Sequence, residues 1–273
     1  MILAPTGYED PRTRLIPAQL IERIELTGNW EEYRAIHGGP LLSDAMRREA
    51  EVLRAVGLAE YALGLERAVL LTYPPKDIGH ASGRGGLFNA AAYLAVKSSA
   101  VLVSLDSHFP YGTWDLHLRL GFPFVAIYSG PDGPHPSKLA RRSSRAVGVP
   151  LPPGAGDPTA GKLLRLLRRL AGRPIVVELG FDLYYRDQAG HFFFTQKAYY
   201  ELGSFFGGSK RAYVVLDCLS EASLDALAAF IAGVEGQAPP KSAELGEGEA
   251  VSREVERALA KAFRALDKII SRP

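Results

Sequence analysis

The sequence predicts an α/β fold, a doubly wound, mostly parallel sheet with helices on both faces. Three observations carry this. Six short runs rich in aliphatic and β-branched residues recur along the chain, helical patterns lie between them, and the runs are almost continuously apolar. Unbroken hydrophobic runs mark parallel strands buried on both faces, and β–α alternation is the connectivity that builds them. With 273 residues and 47% hydrophobic content, one large domain accommodates the whole pattern.

The strands are expected, in order, at AVLLTY (68–73), AVLVSL (100–105), PFVAIY (123–128), AVGVPL (146–151), PIVVELG (174–180) and AYVVLD (212–217). Helix candidates fall between them. Residues 42–64 show spaced apolar positions with charges between, and 87–98 is Ala-rich. Residues 159–171 set Leu163, Leu166, Leu167 and Leu170 on one face and Arg165, Arg168 and Arg169 on the other. Asp157 before Pro158 supplies the cap and first turn of that helix, and Gly172 stops it. Residues 236–250 are rich in Pro, Gly and Glu and read as a mobile connector. The last stretch is an amphipathic helix with Ser252 as its N-cap, packing back on the body of a single domain over 1–273.

Composition narrows the function. The formal charge of +2 argues against a dedicated nucleic-acid binder, and the one compact basic run, Lys138, Arg141, Arg142 and Arg145, reads as a solvated face. No uncharged stretch is long enough to span a bilayer and the N-terminus lacks a signal-peptide pattern, so a cytoplasmic protein is expected. Cys218 is the only cysteine. That excludes an internal disulfide and a Cys-based zinc cluster, so any metal must be held by His and carboxylates.

In a doubly wound sheet the chemistry sits at the carboxyl ends of the strands. AVLLTY is followed by PPKDIGHASGRGG with His80, AVLVSL by Asp106-Ser107-His108, and PIVVELG by Phe181-Asp182. Residues two apart in an extended segment point to one side, so Asp106 and His108 can converge on an ion. Asp182 from a neighbouring strand end can complete the set. Two carboxylates and one imidazole suit zinc better than magnesium and leave room for water and substrate.

Five stretches in the right order resemble the histone deacetylases and their bacterial relatives, including acetylpolyamine amidohydrolases. LDSHFPYGT is similar to the family's D-x-H-H-G-D-G-T, and GVPLPPGAGD to N-x-P-L-P-P-G-T-G-D. ELGFDLYYRDQAGHFFFT resembles S-A-G-F-D-x-H-x-x-D-P-L-G-x-x-x-L-T, YPPKDIGHASGRGGLFNAAAYLA resembles R-P-P-G-H-H-A with G-F-C-x-F-N-N, and TGYEDPRTRL echoes T-G-x-x-H-P-E-R-P-E-R-L. The resemblance implies an arginase/deacetylase-like fold with Zn2+ held by Asp106, His108 and Asp182. It further implies hydrolysis of an acylated amine, acetyl-lysine or a small acetylated amine, with His80 as the catalytic base and acid.

This sequence departs from the family at several helpers of the reaction. The first His of the family pair is Gly79, and the carboxylates that would orient the pair fall at Ser104 and Tyr111. The loop after His80 is shortened. The L-E-G-G-Y block reads LDCLSEAS, so Ser220 is nearest to the missing oxyanion-binding Tyr, with Tyr111 and Tyr184 as other hydroxyl candidates. Losing one such donor costs about 3–4 kcal/mol of transition-state stabilisation. Gly79, Tyr111, Phe181 and Ser220 are therefore expected to shape the substrate pocket. These departures leave an alternative open, a weak or inactive metal-binding relative that binds acylated ligands or proteins. An arginase-like site with two manganese ions needs more ligands than are present. His117 is read as a helix-surface residue, and His37 and His135 as exposed loop residues.

Overall fold

The computed structural model describes residues 1–6, 11–84, 86–243 and 245–270. Residues 7–10 of the opening stretch likened to the family lie outside them. Eight strands form one parallel sheet: β1 (Ile2–Pro5), β2 (Ile21–Ile24), β3 (Arg67–Leu70), β4 (Val101–Leu105), β5 (Phe124–Ser129), β6 (Ala146–Leu151), β7 (Ile175–Gly180) and β8 (Ala212–Asp217). Their spatial order is β2-β1-β3-β8-β7-β4-β5-β6. The helices are α1 (Arg12–Leu15), α2 (Trp30–Arg34), α3 (Gly39–Arg47), α4 (Glu49–Leu63), α5 (Ala90–Ser98), α6 (Tyr111–Leu120), α7 (Pro136–Arg142), α8 (Asp157–Arg168), α9 (Gln196–Gly207), α10 (Leu224–Val234) and α11 (Glu249–Ile270).

The six strands expected from the sequence are all present, because each apolar run has a buried layer on both faces. Along β4, Val101, Val103 and Leu105 join the core under α8 to α11, while Leu102 joins the core under α2 to α7. β1 and β2 are additional. Both have four residues, and β2 is a half-exposed edge strand without a continuous apolar run.

The helical boundaries differ from expectation for local reasons. The 42–64 pattern is two helices, α3 and α4, separated at Arg48, whose backbone (φ −121°, ψ 36°) leaves the helical region. Asp157 is the first residue of α8 rather than its cap, and its carboxylate instead accepts from the Thr195 backbone N–H and hydroxyl at 2.8 and 2.7 Å. Gly172 closes the turn after α8 with φ of 92°. Ser252 lies inside α11, where its Oγ accepts from Lys162 Nζ at 2.8 Å. α11 buries Val255, Leu259, Ala262, Leu266 and Ile269, a three-and-four spacing that makes one apolar stripe. No helix among the described residues is long and apolar enough to cross a membrane.

Chain direction across the sheet reverses between β4 and β7. From β4 the chain steps outward to β5 and β6, then returns to β7 and continues to β8 on the other side. Such a switch point opens a crevice at the carboxyl ends of the two strands.

Candidate metal centre

Four adjacent strands deliver side chains to that crevice. β4 ends at Leu105 and presents Asp106, Ser107 and His108, while β7 ends at Gly180 and presents Asp182. β8 ends at Asp217, and Cys218 follows with a left-handed φ of 44°. The loop after β3 carries Lys76 over the same point. Ligand atoms of Asp106, His108, Asp182 and Cys218 all lie within 4.8 Å of one another.

His108 Nδ1 faces both carboxylates, 2.8 Å from Asp182 Oδ2 and 3.3 Å from Asp106 Oδ1. The His108 backbone N–H donates to Asp106 Oδ1 at 2.8 Å, and the Ser107 N–H donates to Asp182 Oδ1 at 3.2 Å. Both aspartates are buried, and two glycines make room for them. A Cβ on Gly180 would sit 2.3 Å from Asp106 Oδ2 and 2.7 Å from Asp182 Oδ1, and one on Gly190 would strike the Asp182 carbonyl oxygen at 1.5 Å. Two carboxylates, an imidazole and a nearby thiol are a donor set that fits a divalent metal of the zinc type.

A cationic group of the chain itself touches these donors. Lys76 Nζ donates to Asp106 Oδ1 and Oδ2 at 2.9 and 3.1 Å, contacts Cys218 Sγ, and lies 4.0 Å from Asp182 Oδ2. Its side chain is only 10% exposed. Burial works against the ammonium, but the charges of Asp106, Asp217, Cys218 and Asp182 outweigh it and raise its pKa. Burial also pushes Asp106 up, yet Lys76 and the bonds from His108 bring its carboxyl down to about 2. Asp182 moves the other way, to about 6, through burial and the neighbouring Asp106 charge. His108 rises to about 10 on its hydrogen bonds to Asp106 and Asp182. Asp106 is thus held as an anion and His108 as a cation, whereas burial pushes the Asp182 carboxyl and the Cys218 thiol toward their neutral forms.

Beneath this layer runs a buried polar chain. Glu178 pairs in register with Ser104 across β7 and β4, so a carboxylate stands beside Ser104. Thr113 Oγ1 donates to Glu178, and Asn89 Nδ2 reaches Thr113 Oγ1 at 3.0 Å and the Pro75 and Ile78 carbonyls at 2.9 and 3.0 Å. The Asn89 backbone N–H donates to His37 Nε2 at 2.9 Å, which requires the His37 proton to be on Nδ1, 2.8 Å from the Gly79 carbonyl. This chain ties the 75–79 loop to β7 and α5. Burial lifts Glu178 to about 8 and lowers His37 to about 3.

The structure brings Asp106, His108 and Asp182 together, and each of the other sequence candidates has its own local partners. His80 Nδ1 is 3.0 Å from the Ile36 carbonyl, its Nε2 faces Gly38, and its backbone N–H donates to Asp115 Oδ2 at 2.8 Å. Gly79 packs against Asp115. Tyr111 is 59% exposed and lies edge-on to Phe109. Phe181 is wholly buried and stacks on Tyr199, so it is core behind the aspartates. Ser220 Oγ donates to Asp187 Oδ2 at 2.5 Å. Tyr184 is buried edge-on to Tyr185 and Tyr199. Two histidines contradict their reading as surface residues: His37 and His117 are each 1% exposed. His117 is satisfied at both nitrogens, by the Phe122 carbonyl at 2.7 Å and Ser143 Oγ at 2.8 Å, and stacks on Trp114. His135 is exposed.

Sequence reasoning missed Lys76, Cys218 and Glu178. Counting from Pro74-Pro75 without a gap places Lys76, Asp77 and Ile78 on the family's G-H-H, which was the available signal. Lys76, Asp77, Asp217 and Cys218 line a cleft of about 300 Å³ that opens beside the cluster, with Arg12 and Arg84 at its rim. A larger cleft of about 810 Å³ lies between α8 and α9 at the opposite, amino ends of the strands, away from these groups.

Comparison with solved structures agrees with this topology. The chain is similar to the HDA15 HD domain, with TM-score 0.74 and 16% identity over 100% of this chain and 99% of that one. It is also similar to the histone deacetylase Clr3, with TM-score 0.66 and 17% identity over 95% of this chain and 52% of that one. No protein-family model and no curated protein sequence matches it. The fold is therefore the doubly wound arginase/deacetylase fold, reached at a sequence identity that leaves activity to be argued from the site.

Proposed function

We propose that this chain, carrying the histone deacetylase fold, is a zinc-dependent amidohydrolase that removes acetyl or a related acyl group from an amine. The observation that carries the proposal is the convergence of Asp106, His108 and Asp182 on one point at the carboxyl ends of β4 and β7. A bound zinc would polarise the acyl carbonyl and acidify a water at that point. The chain's own part is to hold the donors. Ser107 fixes Asp182 by its N–H, the His108 N–H fixes Asp106, and Gly180 lets the two carboxylates approach.

Proton transfer to the leaving amine falls to His80 or Asp77. The family resemblance favours His80, while the shared cleft with Lys76 and Cys218 favours Asp77. An acetyl-lysine peptide and acetylated polyamines test the proposal. Zinc-loaded protein should release free amine, Asp182→Asn should abolish release, and His80→Ala and Asp77→Asn should identify the proton carrier. A zinc-loaded protein inert across a broad panel of acylated amines overturns the proposal.

One pair of observations favours a second reading, an acyl-ligand or protein-binding module without turnover. The Ser220 hydroxyl is committed to Asp187 and the His80 ring to the Ile36 carbonyl, so neither is directed at the cluster. Turnover blocked by a hydroxamate would eliminate this reading.

A further inference from the structure

We propose that Lys76 is the resident cation of a four-donor site, Asp106–His108–Asp182–Cys218, and that a divalent metal enters by displacing its ammonium from Asp106. The inference rests on the metal-binding reading above and concerns what that reading leaves out, a lysine in the middle of the donor set.

The geometry supports it from several sides. Both oxygens of Asp106 are engaged by one ammonium, at 2.9 and 3.1 Å, while the same Oδ1 faces His108. The carboxylate cannot keep both contacts and also coordinate a dication at close range, because like charges at such separation in a buried place repel strongly. Lys76 cannot stay where it is for a second reason. Its Nζ is against Cys218 Sγ, the fourth atom of the donor set. A metal that binds Cys218 releases the thiol proton to water and takes the place of the ammonium.

The lysine has somewhere to go. It lies on the wall of a cleft that Asp77 and Asp217 share with Arg12 and Arg84, so its four-carbon stem can swing the charge toward solvent on the Asp77 side. The loop itself need not move, because the Lys76 N–H is held by Asp217 Oδ2 at 3.3 Å and its carbonyl accepts from the Gly112 and Thr113 N–H groups at 2.8 and 3.2 Å. Removing the ammonium leaves the two buried carboxylates with His108 alone beside them, and a metal then supplies the missing positive charge. Zinc sites with four protein ligands are structural and those with three keep a position for substrate, so a metal-bound Cys218 favours the binding-module reading over turnover.

Cobalt titration of the metal-stripped protein tests this without reference to turnover. Lys76→Met should bind cobalt roughly ten-fold or more tightly than wild type. The bound form should show a thiolate-to-cobalt charge-transfer band that Cys218→Ser lacks. In wild-type protein, adding cobalt should increase labelling of Lys76 by an amine-reactive reagent, read by peptide mass spectrometry, which keeps the test open if Lys76→Met fails to fold. Equal cobalt affinity in wild type and Lys76→Met, with Lys76 labelling unchanged by metal, overturns the proposal while leaving the metal site standing. A charge-transfer band that persists in Cys218→Ser removes Cys218 from the donor set and overturns the four-donor site. Absence of cobalt binding in wild type and Lys76→Met alike overturns both this proposal and the metal-dependent function.

Discussion

Gly180 and Asp106 are matched across neighbouring strand ends. The glycine has no Cβ where one would stand 2.3 Å from the Asp106 carboxylate oxygen. The close approach of Asp106 and Asp182 thus depends on a missing side chain on β7 as much as on the aspartates themselves. Gly180→Ala should push the carboxylates apart, cost about 1–3 kcal/mol of stability, and weaken metal binding. Denaturant unfolding and cobalt titration of the same variant measure the two effects.

Glu178 provides a pH test of the buried chain. Its folded pKa, raised by burial to about 8, lies above the ordinary value of 4.5. Between those limits the unfolded chain has released this proton and the folded chain retains it, so stability falls as pH rises. Glu178→Gln keeps an acceptor for Thr113 and removes the titration. It should flatten the decline over that window and be more stable than wild type by roughly 1–3 kcal/mol near pH 8, as measured by urea unfolding across pH.

The buried histidines set the opposite slope in acid. Burial lowers His37 to about 3 and His117 to about 4, from an ordinary 6.5. As pH falls below 6.5 the unfolded chain takes up these protons first, so each histidine removes up to about 1.4 kcal/mol per pH unit until its folded pKa is reached. His117→Asn, which can still donate to the Phe122 carbonyl, should show a shallower acid limb than wild type. Unfolding midpoints between pH 4 and pH 7 give the comparison.

Glu247 pins the segment between α10 and α11. Its Oε2 accepts from the Gly156 N–H at 3.2 Å and from the Thr159 hydroxyl at 2.5 Å, and Lys162 Nζ lies 3.6 Å from its Oε1. Glu247→Ala should cost about 1–3 kcal/mol and speed proteolytic cleavage within 236–248. Mass spectrometry of limited digests locates the cut.

Much of the sheet was legible because its signal is local. An apolar run of six residues with turn chemistry at its end can be read directly, and β3 to β8 have such runs, whereas β1 and β2 are too short to stand out. The aspartate–histidine–aspartate set was legible for the same reason, since D-x-H places two ligands on one side of one strand end. What escaped is long-range. Lys76 reads as a surface charge until β8 places Cys218, and β4 places Asp106, on either side of its ammonium. His117 reads as exposed until the Phe122 carbonyl and the Ser143 hydroxyl supply partners for both ring nitrogens. Ser220 reads as facing the metal until Asp187 takes its hydroxyl.

The most direct test of the central claim is a crystal structure of protein grown with zinc, with diffraction data collected on both sides of the zinc absorption edge. The expected result is one strong anomalous peak within coordination distance of Asp106, His108 Nδ1 and Asp182. Zinc found only elsewhere on the surface, with Asp106, His108 and Asp182 bonded to one another and to Lys76 as they are now, would contradict it.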